Sequence, residues 1–249
     1  MLYRNHDSDR AFTFIATSNF DIFCLQEVSG SFLKRLQTLP FFIAFHIERI
    51  QLVTGNQSEL YGVILSKHPI AAQGEVLFPT HERRMSWRTR LFYAFMSSRL
   101  FTTTWDRKGF FIDITKDGMP IRIFNLHLAL SHPSSRLAEF EAAMTELDSK
   151  PTVVCGDFNI LETPHIAPLN WIFGGRIRDA IFYTRERTHI EKRFIAYELR
   201  NALRGKSTHP LSRSQLDHIL VSNSFSISNT AVIPDRYGSD HHPIHVSVT

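Results

Sequence analysis

The chain has 249 residues, of which 43% are hydrophobic and 12% aromatic. This composition is that of a globular protein and excludes global disorder. The formal net charge of +4 attracts anions modestly, a property that suits nucleic acid, phosphorylated metabolites or an acidic membrane surface. No apolar stretch is long enough to span a bilayer and the N-terminus is polar rather than signal-like, so we predict a cytoplasmic protein.

The absence of a Gly-, Ser- or Pro-rich linker predicts a single domain over residues 1–249. Residues 1–5 look like the end of a strand whose beginning is absent, which suggests a truncated first strand. Cys24 and Cys155 lie inside apolar runs, and we expect them to be free thiols that pack as small hydrophobic residues.

The first part of the chain is predicted to alternate helices and strands. Apolar spacing predicts helices over residues 10–18 and 29–39 and strands over 22–25, 41–47 and 61–65.

The middle of the chain carries a strong hairpin signal. Two apolar segments, 110–115 and 121–127, flank an Asp-Gly pair that favours the positive backbone angles of a tight turn. A helix is predicted over 135–147, and further strands are predicted at 152–155, 218–221, 230–233 and 244–248. Hairpins mixed with crossover helices predict two packed sheets flanked by helices.

Glu27 follows the apolar run 22–25 and is predicted to stand at the carboxyl end of a buried strand. A carboxylate there is costly unless it meets a cation, and a hard divalent ion such as Mg²⁺ or Mn²⁺ is its natural partner. The alternative is a solvated glutamate at a loop entrance.

Asp157 and Asn159 follow the predicted strand 152–155. Two residues apart, they would point to the same side of an extended backbone. The aspartate could then orient or deprotonate a water while the amide donates to a phosphoryl oxygen. The alternative is an ordinary turn after a strand, which also favours Gly, Asp and Asn.

Histidines next to carboxylates form the remaining candidates. His241 follows Asp240 near the C-terminus, and Asp217 precedes a predicted strand. An imidazole exchanges protons near neutral pH, and a carboxylate on its other nitrogen fixes its tautomer and orientation. His127, at the end of the segment 121–127, is a second candidate imidazole.

Five motifs together resemble the endonuclease/exonuclease/phosphatase superfamily and occur in the order typical of it. They are Gln26-Glu27, Asn125-Leu126-His127-Leu128, Gly156-Asp157-Phe158-Asn159, Leu216-Asp217-His218 and Ser239-Asp240-His241-His242-Pro243. The resemblance spans nearly the whole chain and implies a four-layered α/β sandwich, two packed mixed β-sheets flanked by helices, with the site at one edge.

The resemblance also implies a role for each motif in a metal-dependent phosphoesterase. Glu27 resembles the principal Mg²⁺ ligand, and Asp240 a further carboxylate near the metal. Asn5 is the candidate for the asparagine that ends the family's first strand and helps to hold the metal.

For the chemistry itself, Asp157 resembles the residue that orients or activates the attacking water, and Asn159 the residue that contacts phosphate. His241 resembles the catalytic imidazole, which Asp217 orients. His127 resembles a second imidazole that contacts the scissile phosphate in some members.

Two basic segments bear on the substrate. Residues 80–109 interleave arginines with aromatic residues, and residues 176–213 carry several more lysines and arginines. Basic groups follow phosphates and aromatic rings stack on bases, so nucleic acid is the favoured partner. A phospholipid or phosphoinositide headgroup on an anionic membrane is the alternative, and an inactive binding module is the third. No obligate protein partner is evident.

Overall fold

The computed structural model describes residues 5–53, 56–79, 86–89, 91 and 107–249, with only the backbone described at 49–53 and 56–58. Its helices are α1 (Ser8–Thr17), α2 (Gly30–Leu36), α3 (Pro133–Met144), α4 (Pro168–Ile172), α5 (Ile177–Ile181) and α6 (Thr184–Ala196). Its strands are β1 (Ile22–Ser29), β2 (Phe42–Val53), β3 (Asn56–Ser66), β4 (Ile70–Leu77), β5 (Lys108–Lys116), β6 (Met119–His127), β7 (Thr152–Asp157), β8 (Leu199–Asn201), β9 (Asp217–Ser222), β10 (Ile227–Val232) and β11 (Ile244–Val248).

One mixed sheet of six strands has the order β4-β5-β6-β7-β9-β8. Its neighbours are antiparallel except β6 and β7, which are parallel because α3 crosses between them. Asp157 at the end of β7 is in register with His127 on one side and with Asp217 on the other. The sheet topology therefore brings three candidate side chains to one edge.

The second β layer consists of two antiparallel pieces, β1-β3-β2 and β10-β11. A core cluster that includes Ile112, Ile123 and Ile219 has Cys24 and Val246 packed against it, and so fills the space between the two layers. Burial of branched apolar side chains drives this packing.

Helices cover the outer face of each β layer. Phe140 of α3 and Phe194 of α6 pack with the six-stranded sheet. Ile15 of α1 and Phe32 of α2 pack with the three-stranded sheet. This order of layers, helix, sheet, sheet and helix, confirms the four-layered sandwich predicted from the sequence.

Local chemistry explains several element boundaries. Asp7 caps α1 by accepting a hydrogen bond from Arg10 N at 3.2 Å. Asp117 and Gly118 have φ values of 53° and 78°, as the hairpin between β5 and β6 requires. The predicted hairpin is thus confirmed.

Other sequence expectations were incomplete. Strands β1, β2 and β3 extend beyond their predicted bounds, and β4, β8 and helices α4 to α6 were not predicted. Strand β4 is an edge strand in which small and polar residues alternate, so it lacks a strong hydrophobic periodicity. Helices α4 and α5 have only five residues each, which is too few to show helical periodicity.

Three further predictions concern the cysteines, the membrane and the N-terminus. Cys24 and Cys155 are free thiols, as expected. None of the helices within the described ranges is long and apolar enough to cross a bilayer. The predicted first strand lies outside the described residues except for Asn5, and the cytoplasmic location stays a prediction.

Candidate active site at the edge of the two sheets

Glu27 lies at a break in the regular pairing of β1. The register with β3 shifts between Leu25 and Val28 and leaves Glu27 in a β-bulge, with a left-handed φ of 53°. A bulge re-aims a side chain, and the strained backbone persists only where its surroundings fix it. Glu27 is 4% exposed, so it is a buried carboxylate as predicted, but it lies two residues before the end of β1 rather than after the strand.

Glu48, on β2, pairs with His127 and was missed by the sequence analysis. Its Oε1 contacts His127 Nδ1, and its Oε2 accepts a hydrogen bond from the backbone N of Glu27 at 2.9 Å. One potential ligand atom from each of Glu27, Glu48 and His127 lies within 4.8 Å of the others. Burial alone would lower the pKa of His127, but the charges of Glu48 and Asp157 outweigh it and raise that pKa.

The functional face of β2 becomes evident only from the burial of its side chains. Ala44, His46 and Glu48 alternate along β2 and are all buried, whereas Phe45 and Ile47 between them are exposed. Polar residues on the buried face of a strand are unusual and point to a paired or functional role. Period-two alternation in the sequence would instead place Phe45 and Ile47 on the buried face and Glu48 on the exposed one, so the sequence pattern alone does not identify this glutamate.

Asp157 occupies the centre of the site. His127 Nε2 lies 3.8 Å from Asp157 Oδ2, and Asp157 Oδ1 accepts a hydrogen bond from the backbone N of Asn159 at 2.8 Å. The buried Oδ2 has no hydrogen-bond partner within the described part of the chain. Burial raises the pKa of Asp157, and the opposing charge of His241 does not cancel this shift.

Asp217 holds His241 on the other side of Asp157. His241 Nδ1 and Asp217 Oδ2 are 2.7 Å apart, and the backbone N of Asp217 donates to Thr208 Oγ1 at 2.9 Å. Burial would lower the pKa of His241, but the carboxylates of Asp217 and Asp157 raise it to about 9. The imidazole is therefore held as a cation, with Nδ1 directed to Asp217 and Nε2 left for other contacts.

Asp240 and His209 complete the row of candidate side chains. One oxygen of Asp240 lies within 4.8 Å of a ring nitrogen of His241 and of His209. The His209 ring centroid is 4.7 Å from that of His241, and burial together with the nearby His241 charge lowers the pKa of His209 to about 4. The backbone N of Ser212 donates to His209 Nδ1 at 3.0 Å, so neutral His209 carries its proton on Nε2. Sequence motifs did not single out His209.

Asn159 lies beside Asp157, but its backbone conformation differs from the predicted one. An extended backbone was expected to carry both side chains to one side; instead β7 ends at Asp157 and Asn159 is left-handed, with a φ of 52°. Its Nδ2 donates to Leu128 O at 2.9 Å. Asn159 therefore lies in a turn after β7 and is also close to Asp157. Its contact with phosphate stays a prediction.

Asn5 uses its side chain to bind backbone. Its Nδ2 donates to Tyr237 O at 2.9 Å, and its Oδ1 accepts from the backbone N of Asp7 at 2.6 Å. These bonds fix the chain next to the loop that precedes Asp240. The metal-binding role expected from the resemblance stays a prediction.

Polar contacts behind the site tie the two β layers together. Asn125 Nδ2 donates to Leu25 O at 3.0 Å and to Val63 O at 3.1 Å, and its Oδ1 accepts from Gln26 Nε2 at 2.6 Å. The asparagine and glutamine of two motifs are thus structural links that hold the bulge of β1 against β6.

His218 and part of the second basic segment are structural as well. His218 is fully buried and stacks on Phe158 with ring centroids 4.6 Å apart. Arg187 contacts His218 Nε2 and makes a bidentate pair with Glu162 at 2.7 and 2.9 Å. Arg193 similarly pairs with Glu141. The segment 176–213 is therefore less available to an anionic partner than its composition suggests.

The first basic segment, residues 80–109, lies largely outside the described residues. Within it, Arg107 makes a contact with the carbonyl oxygen of His127 and lies 3.4 Å from Glu139. Glu139 in turn accepts a hydrogen bond from the backbone N of Ala129 at 2.6 Å. These contacts position the loop that follows His127.

The residues at this edge fit a divalent cation. Glu27 and Glu48 place two buried carboxylates close together, and Asp157 Oδ2 is a buried acceptor that lacks a hydrogen-bond donor in the described structure. Grouped buried carboxylates are costly without positive charge, and oxygen donors are the ligands that Mg²⁺ and Mn²⁺ prefer. The donor set thus suits such an ion, and the role of Glu27 as its ligand stays a prediction.

Comparisons with known proteins agree on one family. The sequence matches the Endonuclease/Exonuclease/phosphatase family over residues 2–241. No curated protein matches the sequence. Among solved structures, an endonuclease/exonuclease/phosphatase family protein from Leptotrichia buccalis is similar with a TM-score of 0.64 and 16% identity, covering 97% of this chain and 92% of that one.

Two further structures come from proteins with named activities. A mannosyl-6-phosphatase from Bacteroides thetaiotaomicron has a TM-score of 0.57 and 18% identity, over 98% of this chain and 90% of that one. The 3' phosphatase NExo from Neisseria, solved with a product DNA hairpin, has a TM-score of 0.55 and 16% identity, over 96% of this chain and 93% of that one. At these identities the likeness shows a shared fold.

Proposed function

The chain belongs to the endonuclease/exonuclease/phosphatase family, whose members are phosphoesterase hydrolases, and we propose that it hydrolyses phosphate esters of nucleic acid with Mg²⁺ or Mn²⁺. The observation that carries the proposal is the continuous row Glu27, Glu48, His127, Asp157, Asp217 and His241 at one edge of the sheets. Acidic and imidazole groups at these distances provide what in-line attack of water on a phosphate ester requires.

The ion would be held by Glu27, with Asp240 as a further carboxylate near it. A divalent cation there polarises a phosphoryl oxygen and offsets the charge that develops on the leaving oxygen. Glu48 and His127 form an ion pair behind Glu27, which keeps the carboxylate and imidazole oriented.

Asp157 and His241 divide the proton chemistry. Asp157 Oδ2 is the acceptor for a proton of the attacking water, and its raised pKa makes it a better base than an exposed aspartate. His241 presents Nε2 while Asp217 holds Nδ1, and its raised pKa keeps it protonated at neutral pH. As a cation it donates to a phosphoryl or leaving oxygen and stabilises the negative charge of the transition state.

Nucleic acid is the substrate class we favour. The positive net charge suits a polyanion, and a structure of the same fold holds a DNA hairpin. A lipid phosphate ester is the competing class, which the assay below includes as a separate arm.

The test measures nicking of supercoiled DNA, phosphate release from a 3'-phosphorylated oligonucleotide, and headgroup release from anionic liposomes. Each is run with Mg²⁺, with Mn²⁺ and with excess chelator. We expect metal-dependent activity on one of the two DNA substrates. Activity on liposomes alone would replace nucleic acid by lipid, and no activity on any of the three in either metal would refute the proposal.

Matched variants separate the site from the fold. Glu27→Gln and His241→Ala are expected to lower turnover by at least about 10²-fold, with the unfolding transition retained. The controls are Glu59→Gln and His189→Ala, which alter exposed residues of the same types. Turnover within a few fold of the parent in either site variant would remove that residue from the mechanism.

A further inference from the structure

The loop between β8 and β9 carries His209, an imidazole that lies outside the five sequence motifs. Its neighbour Thr208 accepts a hydrogen bond through Oγ1 from the backbone N of Asp217 at 2.9 Å. The carbonyl oxygen of Thr208 accepts another from the backbone N of His242 at 2.9 Å. These bonds join the loop to both segments that carry the Asp217–His241 pair, and so they fix the position of His209 relative to that pair.

The loop also fixes the orientation of the His209 ring. Its Nδ1 accepts a hydrogen bond from the backbone N of Ser212 at 3.0 Å, and Ser212 Oγ lies 3.0 Å from the same nitrogen. The backbone N of Arg213 donates to His209 O at 2.9 Å and closes the loop. An imidazole nitrogen that accepts a hydrogen bond carries no hydrogen, so Nε2 is an N–H donor. Nε2 makes no hydrogen bond within the described part of the chain, and the side chain is half-buried.

This donor lies beside the imidazole of the candidate site. The ring centroids of His209 and His241 are 4.7 Å apart. One ring nitrogen of His209 lies within 4.8 Å of a ring nitrogen of His241 and of a carboxylate oxygen of Asp240. His241 also belongs to a cluster with Asp157 and Asp217. His209 therefore extends the row of candidate side chains by one donor beyond His241.

The number of donors distinguishes two kinds of phosphate ester. A phosphodiester has two non-bridging oxygens, and the cation and His241 of the proposed mechanism are enough for them. A phosphomonoester has a third terminal oxygen and carries a charge of about −2 near neutral pH. A charged oxygen that loses its water without gaining a donor is costly. A second N–H beside His241 is thus what a monoester requires and a diester does not.

We propose that His209 is a specificity-determining residue that donates its Nε2 hydrogen to the third terminal oxygen of a phosphomonoester. The inference rests on the proposed function and narrows it to terminal phosphate groups, such as the 3'-phosphate of a DNA strand. Hydrolysis transfers the hydroxyl of water to phosphorus, breaks the bond between phosphorus and the ester oxygen, and leaves a proton on that oxygen. The products are inorganic phosphate and the free hydroxyl of the strand.

Two substitutions separate the donor from the loop. His209→Asn keeps an amide oxygen near the position of Nδ1, where it can accept from the backbone N of Ser212, but has no donor at the position of Nε2. His209→Gln is longer and places its amide N–H groups near the position of Nε2. The control is His189→Asn, at an exposed histidine. The melting temperature of each variant shows whether the fold is retained.

Turnover is compared on two oligonucleotides of one sequence, which carry a 3'-phosphate or the methyl diester of that phosphate. We expect the parent to prefer the monoester, and His209→Asn to lower kcat/KM for the monoester at least about tenfold more than for the diester. His209→Gln should restore most of this preference.

A second readout needs no turnover. Titration calorimetry in Mg²⁺ compares the affinities of inorganic phosphate and dimethyl phosphate. The affinity for inorganic phosphate should fall at least about tenfold more in His209→Asn than the affinity for dimethyl phosphate.

Three outcomes would overturn the inference. The first is a parent protein that hydrolyses and binds the diester at least as well as the monoester, a comparison that needs no variant. The second is an equal loss on both substrates in His209→Asn, which would make His209 a residue that positions Asp240. The third is unchanged selectivity in that variant. Failure of the proposed function is distinguishable, because neither oligonucleotide would then be hydrolysed although binding of inorganic phosphate still depends on His209.

Discussion

Asp217→Asn tests the electrostatic role given to the Asp217–His241 pair. The substitution keeps the size of the side chain but removes the charge that holds His241 protonated. Burial then favours the neutral imidazole, and the pKa of His241 is expected to fall from about 9 to its ordinary value of 6.5 or below. A fall of roughly 2.5 pKa units corresponds to about 3 kcal/mol of proton affinity.

The expected rate loss depends on pH in a defined way. At pH 8 an imidazole with a pKa of 9 is about 90% protonated, whereas one with a pKa of 6.5 is about 3% protonated, a difference of about 30-fold. At pH 5.5 both are at least about 90% protonated, so the difference in protonation nearly disappears. The turnover of Asp217→Asn relative to the parent should therefore recover as the pH falls.

The assay is a pH profile of turnover from pH 5 to 9, together with NMR titration of the His241 imidazole in metal-free protein. His189→Ala, at an exposed histidine, is the control. A loss of equal size at every pH, with the pKa of His241 unchanged, would refute the electrostatic reasoning and leave Asp217 only an orienting role. In metal-free protein the raised pKa also stabilises the fold below pH 6.5, and this contribution should disappear as the pH rises through 9.

Three further predictions concern residues around the site and in the core. Glu48→Gln removes the negative charge next to Glu27 and His127 and should weaken Mn²⁺ binding about tenfold or more. Titration calorimetry measures this affinity, and an unchanged value would show that Glu48 does not contribute to metal binding. Burial lowers the pKa of His46 to about 4, so the unfolded state binds more protons than the folded state between pH 6.5 and 4. The free energy of unfolding should therefore fall by up to roughly 3 kcal/mol as the pH is lowered through this range. Urea unfolding of His46→Gln should show a smaller fall, and an equal fall would contradict this explanation. Arg136→Met leaves Glu186 without its bidentate partner at 2.6 Å and should cost about 3–5 kcal/mol in urea unfolding, whereas a loss below about 1 kcal/mol would show that the pair contributes little.

Local sequence was enough to predict much of the fold. The Asp117-Gly118 turn specifies its hairpin because few residues adopt two successive positive φ angles at low cost. Likewise, the apolar run before Glu27 predicts a buried strand with an acidic end, since such runs have to be covered on both faces. These signals act between residues close in the chain, so they can be identified in the sequence itself.

Other features depend on contacts between distant segments. Glu48 is 79 residues from His127, and nothing near it in the chain indicates that the two side chains meet. Arg187 looks like part of a basic surface until Glu162 and His218 are found to surround it.

The main strands, and the acids and imidazoles at their ends, can be identified from the amino-acid sequence because hydrophobic periodicity and turn chemistry are local. The folded chain places Asp157 between His127 and Asp217, through the register of β7 with β6 and β9. It also decided how strongly each group holds its proton. Burial and the charges of distant residues set the pKa of Asp157 and His241, and these exist only when the sheets have packed.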